Sequence, residues 1–103
     1  MRFLMKMRMS VEKGNAAIKD PNFGKKLQEM LQDLKPEAAY FAIDEGQRCA
    51  YFIVHARDNS ELPRMAEPFW LAFNAHIEVT PVMIADDLAK AGPDIAAAVK
   101  KYG

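Results

Sequence analysis

The sequence predicts an α+β fold in which helices cover one face of a four-stranded antiparallel sheet. Three observations support this prediction. Residues 2–9 alternate between apolar and polar, residues 40–54 read as two apolar strands around a polar turn, and segments with helical spacing separate the strands. A period of two is typical of a strand, and apolar residues three and four apart are typical of a helix.

The first strand, residues 2–9, is predicted to place Lys6 and Arg8 on the face opposite its phenylalanine and methionine residues. Ser10 is a suitable N-cap for the helical segment that follows, residues 11–35. Asp20-Pro21 divides that segment into two pieces, because proline is tolerated in a first helical turn but not in a helix interior.

The hairpin, with strands at 38–44 and 48–56 around a turn at Asp44–Gln47, is apolar at nearly every position. A strand with one wet face alternates apolar and polar residues, whereas a strand covered on both faces is continuously apolar. The chain has helices enough for one face only. We therefore expect a second copy to cover the other face, which makes the protein a homodimer.

The second half of the chain predicts a helix, a strand and a helical tail. The helix spans about 60–73 with Asn59 or Ser60 as its cap, and Pro68 should bend or split it. Its apolar stripe consists of Leu62, Met65, Ala66, Phe69, Trp70 and Phe73. Residues 75–84 alternate as a last strand, and a short alanine-rich helix opens at Pro93-Asp94 in the tail, 86–102. The element order is the ferredoxin-like βαββαβ plan, with the first and last strands adjacent.

Composition bounds the function. The 103 residues fit a single domain, residues 1–103, and 14 basic residues balance 14 acidic ones. Zero net charge argues against a nucleic-acid binder. The N-terminus has no signal-peptide core, no apolar run approaches the roughly 18 residues that span a membrane, and the single Cys49 permits no intrachain disulfide. We therefore expect a cytoplasmic protein without nucleic-acid or membrane partners.

Residues 67–88, EPFWLAFNAHIEVTPVMIADDL, combine an aromatic helix, a strand ending in V-x-P-V-M and an acidic turn before a leucine. With the GQR hairpin, they resemble an uncharacterised branch of the dimeric α+β barrel superfamily. The resemblance implies two sheets packed face to face, with a cleft inside the barrel or between sheet and helices. Haem-degrading members use Asn, Trp and His, but the spacing of Trp70 and His76 does not match. We expect no metal and no cofactor. Function does not follow from this fold.

The terminal strands carry the first candidate ligand site. Lys6 and Arg8 on the first strand are expected to share a sheet face with His76, Glu78 and Thr80 on the last. Two cations beside a histidine suit a small anionic ligand, and a histidine can move a proton near neutral pH. The alternative is a solvated rim whose charged pairs hold the strand register.

Three further residues are weaker candidates. His55 ends the third strand and either lines the site or simply terminates the strand. Tyr51 either binds a ligand or pairs with Tyr40 across the hairpin. Trp70 is expected to be an anchor in the core or at an interface, and Cys49 a small buried apolar residue.

No glycine-rich phosphate loop, CxxC, HExxH or nucleophile elbow is present. The sequence therefore favours a non-catalytic or accessory protein that binds a small polar or anionic molecule. The alternative is a cofactor-independent enzyme, similar to a monooxygenase or an isomerase, that uses the dimer cleft with His76 as the proton carrier. Whether the protein is an enzyme stays open from the sequence alone.

Overall fold

A computed structural model describes residues 1–103. The elements follow in this order: β1 (Arg2–Met9), α1 (Val11–Lys19), α2 (Phe23–Leu34), β2 (Ala38–Asp44), β3 (Gln47–His55), a 3-10 turn (Asn59–Glu61), α3 (Leu62–Phe73), β4 (His76–Pro81), α4 (Ala85–Lys90) and α5 (Gly92–Tyr102). The predicted α+β plan is confirmed, and the predicted helical segment 11–35 is indeed two helices.

The four strands form one antiparallel sheet in the order β2-β3-β1-β4. The first and last strands are therefore neighbours, as the ferredoxin-like plan predicts. Met5 pairs with Phe52 on β3 and with Val79 on β4, while Lys6 pairs with Tyr51 and Glu78. Because directly paired residues share a face, this register separates the apolar and polar sets of β1.

The core lies between the sheet and helices α1, α2 and α3. Met5, Phe52 and Val54 are fully buried on the covered face, and Met65 and Phe69 of α3 pack against them. The rings of Phe52 and Phe69 are 5.6 Å apart, at a distance typical of stabilising aromatic pairs. We call the opposite side of the sheet, which no helix layer covers, the open face.

Local signals at the turns explain most of the element boundaries. The Ser10 side chain accepts a hydrogen bond from the Lys13 amide at 3.1 Å, which confirms the predicted N-cap of α1. The hairpin closes through Glu45 and Gly46, both with positive φ, a geometry that matches the right-handed twist of a hairpin. Asp58, not the predicted Asn59 or Ser60, is the cap at the start of the turn before α3.

Two expectations for the second half of the chain are corrected. The last strand is shorter than predicted and ends at Pro81, since proline donates no amide hydrogen bond. Pro68 does not split α3, which is continuous from Leu62 to Phe73. Trp70, expected to be an anchor in the core or at an interface, is 44% exposed and so lies outside the buried core, and its place at an interface stays a prediction.

Helices α4 and α5 project from the sheet-and-helix body, and we call them the C-terminal arm. Helix α5 has no buried residue, and Ile95, Val99 and Tyr102 are at least half exposed. The chain measures 58 × 28 × 20 Å, with a radius of gyration of 17.2 Å. A compact domain of this length has a radius near 13 Å, so the arm extends well away from the body. Each of the helices falls short of the length and apolar character that a membrane span needs.

Candidate functional site

Polar side chains gather at one end of the open face, where β1 lies between β3 and β4. Lys6 pairs directly with Tyr51 on β3 and with Glu78 on β4. Arg8 pairs with His76 on β4. Paired side chains on one face start about 4.5–5.5 Å apart, so all five are close neighbours. The structure thus brings together the predicted site residues of β1, β3 and β4, apart from His55.

Asp44, the last residue of β2, is the anionic centre of this group. Its Oδ2 lies 2.8 Å from Lys6 Nζ and 3.6 Å from Arg8 Nη1. The Tyr51 hydroxyl donates a hydrogen bond to Asp44 Oδ1 at 3.5 Å. The two long cationic side chains reach Asp44 across β3, where the small and buried Cys49 lies between Arg8 and β2. We call Lys6, Arg8, Asp44, Tyr51, His76 and Glu78 the polar cluster.

Two further carboxylates, those of Glu78 and Glu45, contact the basic side chains of the polar cluster. Glu78 Oε2 lies 4.0 Å from Lys6 Nζ, and its Oε1 lies 3.6 Å from His76 Nε2. Glu45, in the hairpin turn, lies 3.3 Å from Arg8 Nη1. The side chains of Glu45 and Glu78 are 76% and 51% exposed, against 25% for Asp44. An incoming anion can therefore replace either glutamate more easily than it can replace Asp44.

Neighbouring groups shift three pKa values in the polar cluster, and that of Tyr51 is raised, chiefly by its hydrogen bond with Cys49. The hydrogen bond from Lys6, reinforced by the charge of Arg8, lowers the pKa of Asp44 from its ordinary value of 3.8, although partial desolvation opposes this. The same hydrogen bond raises the pKa of Lys6 above 10.5. Both groups are therefore charged across the physiological pH range, and they give the site a fixed pair of opposite charges.

His55 belongs to a different group at the far end of the open face. It pairs with Arg2 in the register, four strand positions or about 13 Å from Lys6. Glu37 Oε1 lies 2.8 Å from Arg2 Nη2 and 3.2 Å from His55 Nε2. The hydrogen bond from Arg2, with that of His55, lowers the pKa of Glu37. His55 is thus a member of a surface ion-pair network beside the end of β3.

Sequence reasoning missed Asp44 and Glu45, which complete the polar cluster. The available signal was their position, since two adjacent acids close a hairpin whose strands are otherwise apolar. Predicting their contacts with Lys6 and Arg8 requires the strand order and the register, because the end of β2 lies two strands away from β1.

Between the polar cluster and the charged group at Arg2 and His55, strands β1, β2 and β3 place apolar side chains on the open face. Tyr40 pairs directly with Tyr51 across the hairpin, which was one of the two alternatives predicted for Tyr51. Leu4 pairs with Ile53. Tyr40 is 65% exposed, whereas Leu4 and Ile53 are partly buried. The hairpin is therefore apolar on both faces, and helices of this chain cover only one of them.

The fold and the open face define a class: a small ferredoxin-like α+β protein whose sheet presents charged and apolar side chains on its uncovered side. Residues 1–96 match the model of a family described as a domain of unknown function (DUF3303), and the chain belongs to this family. No match was found among the curated proteins or among the solved structures.

Proposed function

We propose that this protein is a homodimeric small-molecule-binding protein of the dimeric α+β barrel type, formed as one domain by residues 1–103. The open faces of two copies meet, and a small polar or anionic molecule binds at the polar cluster. The observation that carries this proposal is a sheet face that combines an apolar surface with a built ionic cluster and that no helix covers.

The amount of exposed apolar surface supports the dimer. Only 16 of the 103 residues are buried, whereas 14 large apolar residues are exposed. They include Tyr40 on the open face and Ile95, Val99 and Tyr102 on the C-terminal arm. Contiguous apolar patches on a soluble chain mark interaction surfaces. A second copy is the partner that the two uncovered surfaces require.

The ligand class follows from the charges. Arg8 and His76 are direct neighbours, and the exposed carboxylates of Glu45 and Glu78 contact them at 3.3 and 3.6 Å. A ligand carboxylate that takes the place of one glutamate forms charge-assisted hydrogen bonds with the same donors. Asp44 holds Lys6 and Arg8 in position throughout. We therefore infer an organic acid or another small polar molecule with an acceptor group.

Light scattering tests the dimer. The wild type should have twice the 11.6 kDa mass of one chain at micromolar concentration. Tyr40→Asp places a charge on the open face at a position that is 65% exposed in the single chain, so it should yield a folded monomer. Lys25→Asp, on the exposed side of α2, is the matched control and should remain dimeric. A wild-type monomer, or a dimeric Tyr40→Asp, would contradict the proposed interface.

Thermal shift followed by calorimetry tests the ligand site, with acetate, lactate, succinate and glutamate as probes at millimolar concentration. An acid that stabilises the wild type should bind at least about tenfold more weakly to His76→Ala and to Arg8→Gln, since a hydrogen bond to a charged group contributes about 1.5–3 kcal/mol. Arg57→Gln, an exposed arginine outside the polar cluster, should bind normally. Equal binding by all variants, or no stabilising acid, would contradict the site.

A second candidate function is supported by His76 and Glu78. Glu78 Oε1 lies 3.6 Å from His76 Nε2 at the exposed rim of the polar cluster. A carboxylate in this position can orient a histidine that transfers protons. In this case the protein is a cofactor-independent enzyme. Incubating a stabilising acid with the protein and following the NMR spectrum of the acid distinguishes the two functions, because only an enzyme converts the acid or exchanges its protons.

We place either activity in the cytoplasm, since the one cysteine, Cys49, is buried and unpaired.

A further inference from the structure

A cavity of about 240 Å³ lies on the covered side of the sheet, between helices α1 and α2, the end of α3 and the outer part of the sheet. It arises because the helix layer stops short of β2, where Phe41 and Ile43 are 59% and 83% exposed. Nine of its ten lining residues are apolar: Met7, Met9, Ile18, Phe23, Leu27, Phe41 and Phe73, together with Ala42 and Cys49, which the strand register assigns to the open face. The tenth is Arg48.

Arg48 is a cation without an anionic partner. It pairs with Met9 and Ile43 in the register and therefore faces the helices. Its Nη2 donates a hydrogen bond to the neutral Asn15 Oδ1 at 3.1 Å, and no carboxylate lies within 4.0 Å of it. In this respect it differs from Arg8, whose guanidinium already contacts two carboxylates.

The packing of α1 accommodates the Arg48 side chain at this place. Gly14 is a buried glycine in the interior of α1, and a Cβ on it would lie 2.6 Å from Arg48 Nη1. Glycine is unfavourable in a helix interior, so its presence here has a local reason. It lets the guanidinium pass close to the helix backbone, and this keeps the group beside the apolar walls.

We propose that this cavity binds a small apolar carboxylic acid. The carboxylate pairs with the guanidinium of Arg48, whose planar donors match a carboxylate geometrically. The hydrocarbon part lies among Met7, Phe23 and Phe41. Pockets for drug-sized ligands measure about 300–1,000 Å³, so the smaller volume selects a single ring or a short chain. This site is separate from the polar cluster and does not depend on the dimer.

A matched pair of probes tests the proposal: 3-phenylpropionate and the neutral alcohol 3-phenyl-1-propanol. By calorimetry, the wild type should bind the acid at least tenfold more tightly than the alcohol. Arg48→Gln should remove that difference, and Arg57→Gln should keep it. His76→Ala should bind the acid normally, so failure of the polar cluster as a ligand site leaves this result unaffected. Melting curves verify that each variant is folded.

NMR of methyl-labelled methionine locates the bound acid. The signals of Met7 and Met9, which line the cavity, should shift on titration, while that of Met65, buried elsewhere in the core, should not. Phe41→Ala, which removes part of one wall, should weaken the binding of both probes. Three results would overturn the proposal. The wild type fails to bind the acid, it binds acid and alcohol equally, or the Arg48→Gln variant still prefers the acid.

Discussion

The two faces of the same four strands differ in what their side chains do. On the covered face, Met5 and Phe52 have no exposed surface and belong to the apolar core. One position along each strand, Lys6 and Tyr51 lie on the open face beside the carboxylate of Asp44. The difference shows that, because side chains alternate along a strand, one face can carry the apolar side chains that stabilise the fold while the other face carries charged ones.

The largest expected effect is a loss of packing on the covered face. Phe52→Ala removes a fully buried ring that lies 5.6 Å from the ring of Phe69, and it should lower the free energy of unfolding by about 3–5 kcal/mol. At a concentration where light scattering shows only monomer, Ile53→Ala, the next residue and on the open face, should cost clearly less because Ile53 is only partly buried in the single chain. Urea denaturation of both variants measures the contrast. Equal losses would mean that the two faces are equally packed.

A smaller effect on the free energy of unfolding is expected when the C-terminal arm is shortened, because the arm, like the open face, is exposed in the single chain. Deleting residues 92–103 removes α5, which has no buried residue. At a concentration where light scattering shows only monomer, the free energy of unfolding should therefore change by less than about 0.5 kcal/mol, as for most surface changes. If the arm contacts the second copy, the dimer of the shortened protein should dissociate at a higher protein concentration than the wild-type dimer does. Lys101→Gln, a change confined to the arm surface, serves as the control.

The sequence predicted the fold well because its signals are local. Alternation in residues 2–9, the Ser10 cap and the hairpin turn each depend on neighbours along the chain, and all three are confirmed. Distant packing decides the points that the sequence leaves open. The spacing of Trp70 with Phe69 and Phe73 left open whether it packs in the core or at an interface. The structure leaves it 44% exposed, because the spacing within one helix does not show how far the helix layer extends.

The polar cluster was predictable in part for the same reason. Alternation placed Lys6 and Arg8 opposite the methionines, and the ferredoxin-like order made His76 a neighbour. The contact of both cations with Asp44 depends on side chains that cross an intervening strand, and this needs three-dimensional coordinates. The Arg48 cavity was missed altogether, because a gap between a helix layer and an edge strand has no sequence pattern of its own.

The smallest expected effect concerns the ionic end of the open face and its dependence on pH. Because Lys6 and Arg8 lower the pKa of Asp44 in the folded chain, their ion pairs stabilise the fold above the ordinary value of 3.8. That contribution is lost as the pH falls through the lowered value, where the folded carboxylate takes up its proton. Asp44→Asn lacks it at every pH, so its melting temperature should lie below that of wild type at pH 7. The gap should close in strong acid.

Comparing variants is essential here, because Asp20, Glu37, Asp58 and Glu61 also have lowered pKa values and also destabilise wild type in acid. They are present in both proteins, so their effect cancels in the difference between the two melting curves. The decisive measurement is therefore the melting temperature of wild type minus that of Asp44→Asn, from pH 7 to pH 2. A difference that stays constant over this range would show that Asp44 acts through packing, and the charged centre of the polar cluster would then have to be reassigned.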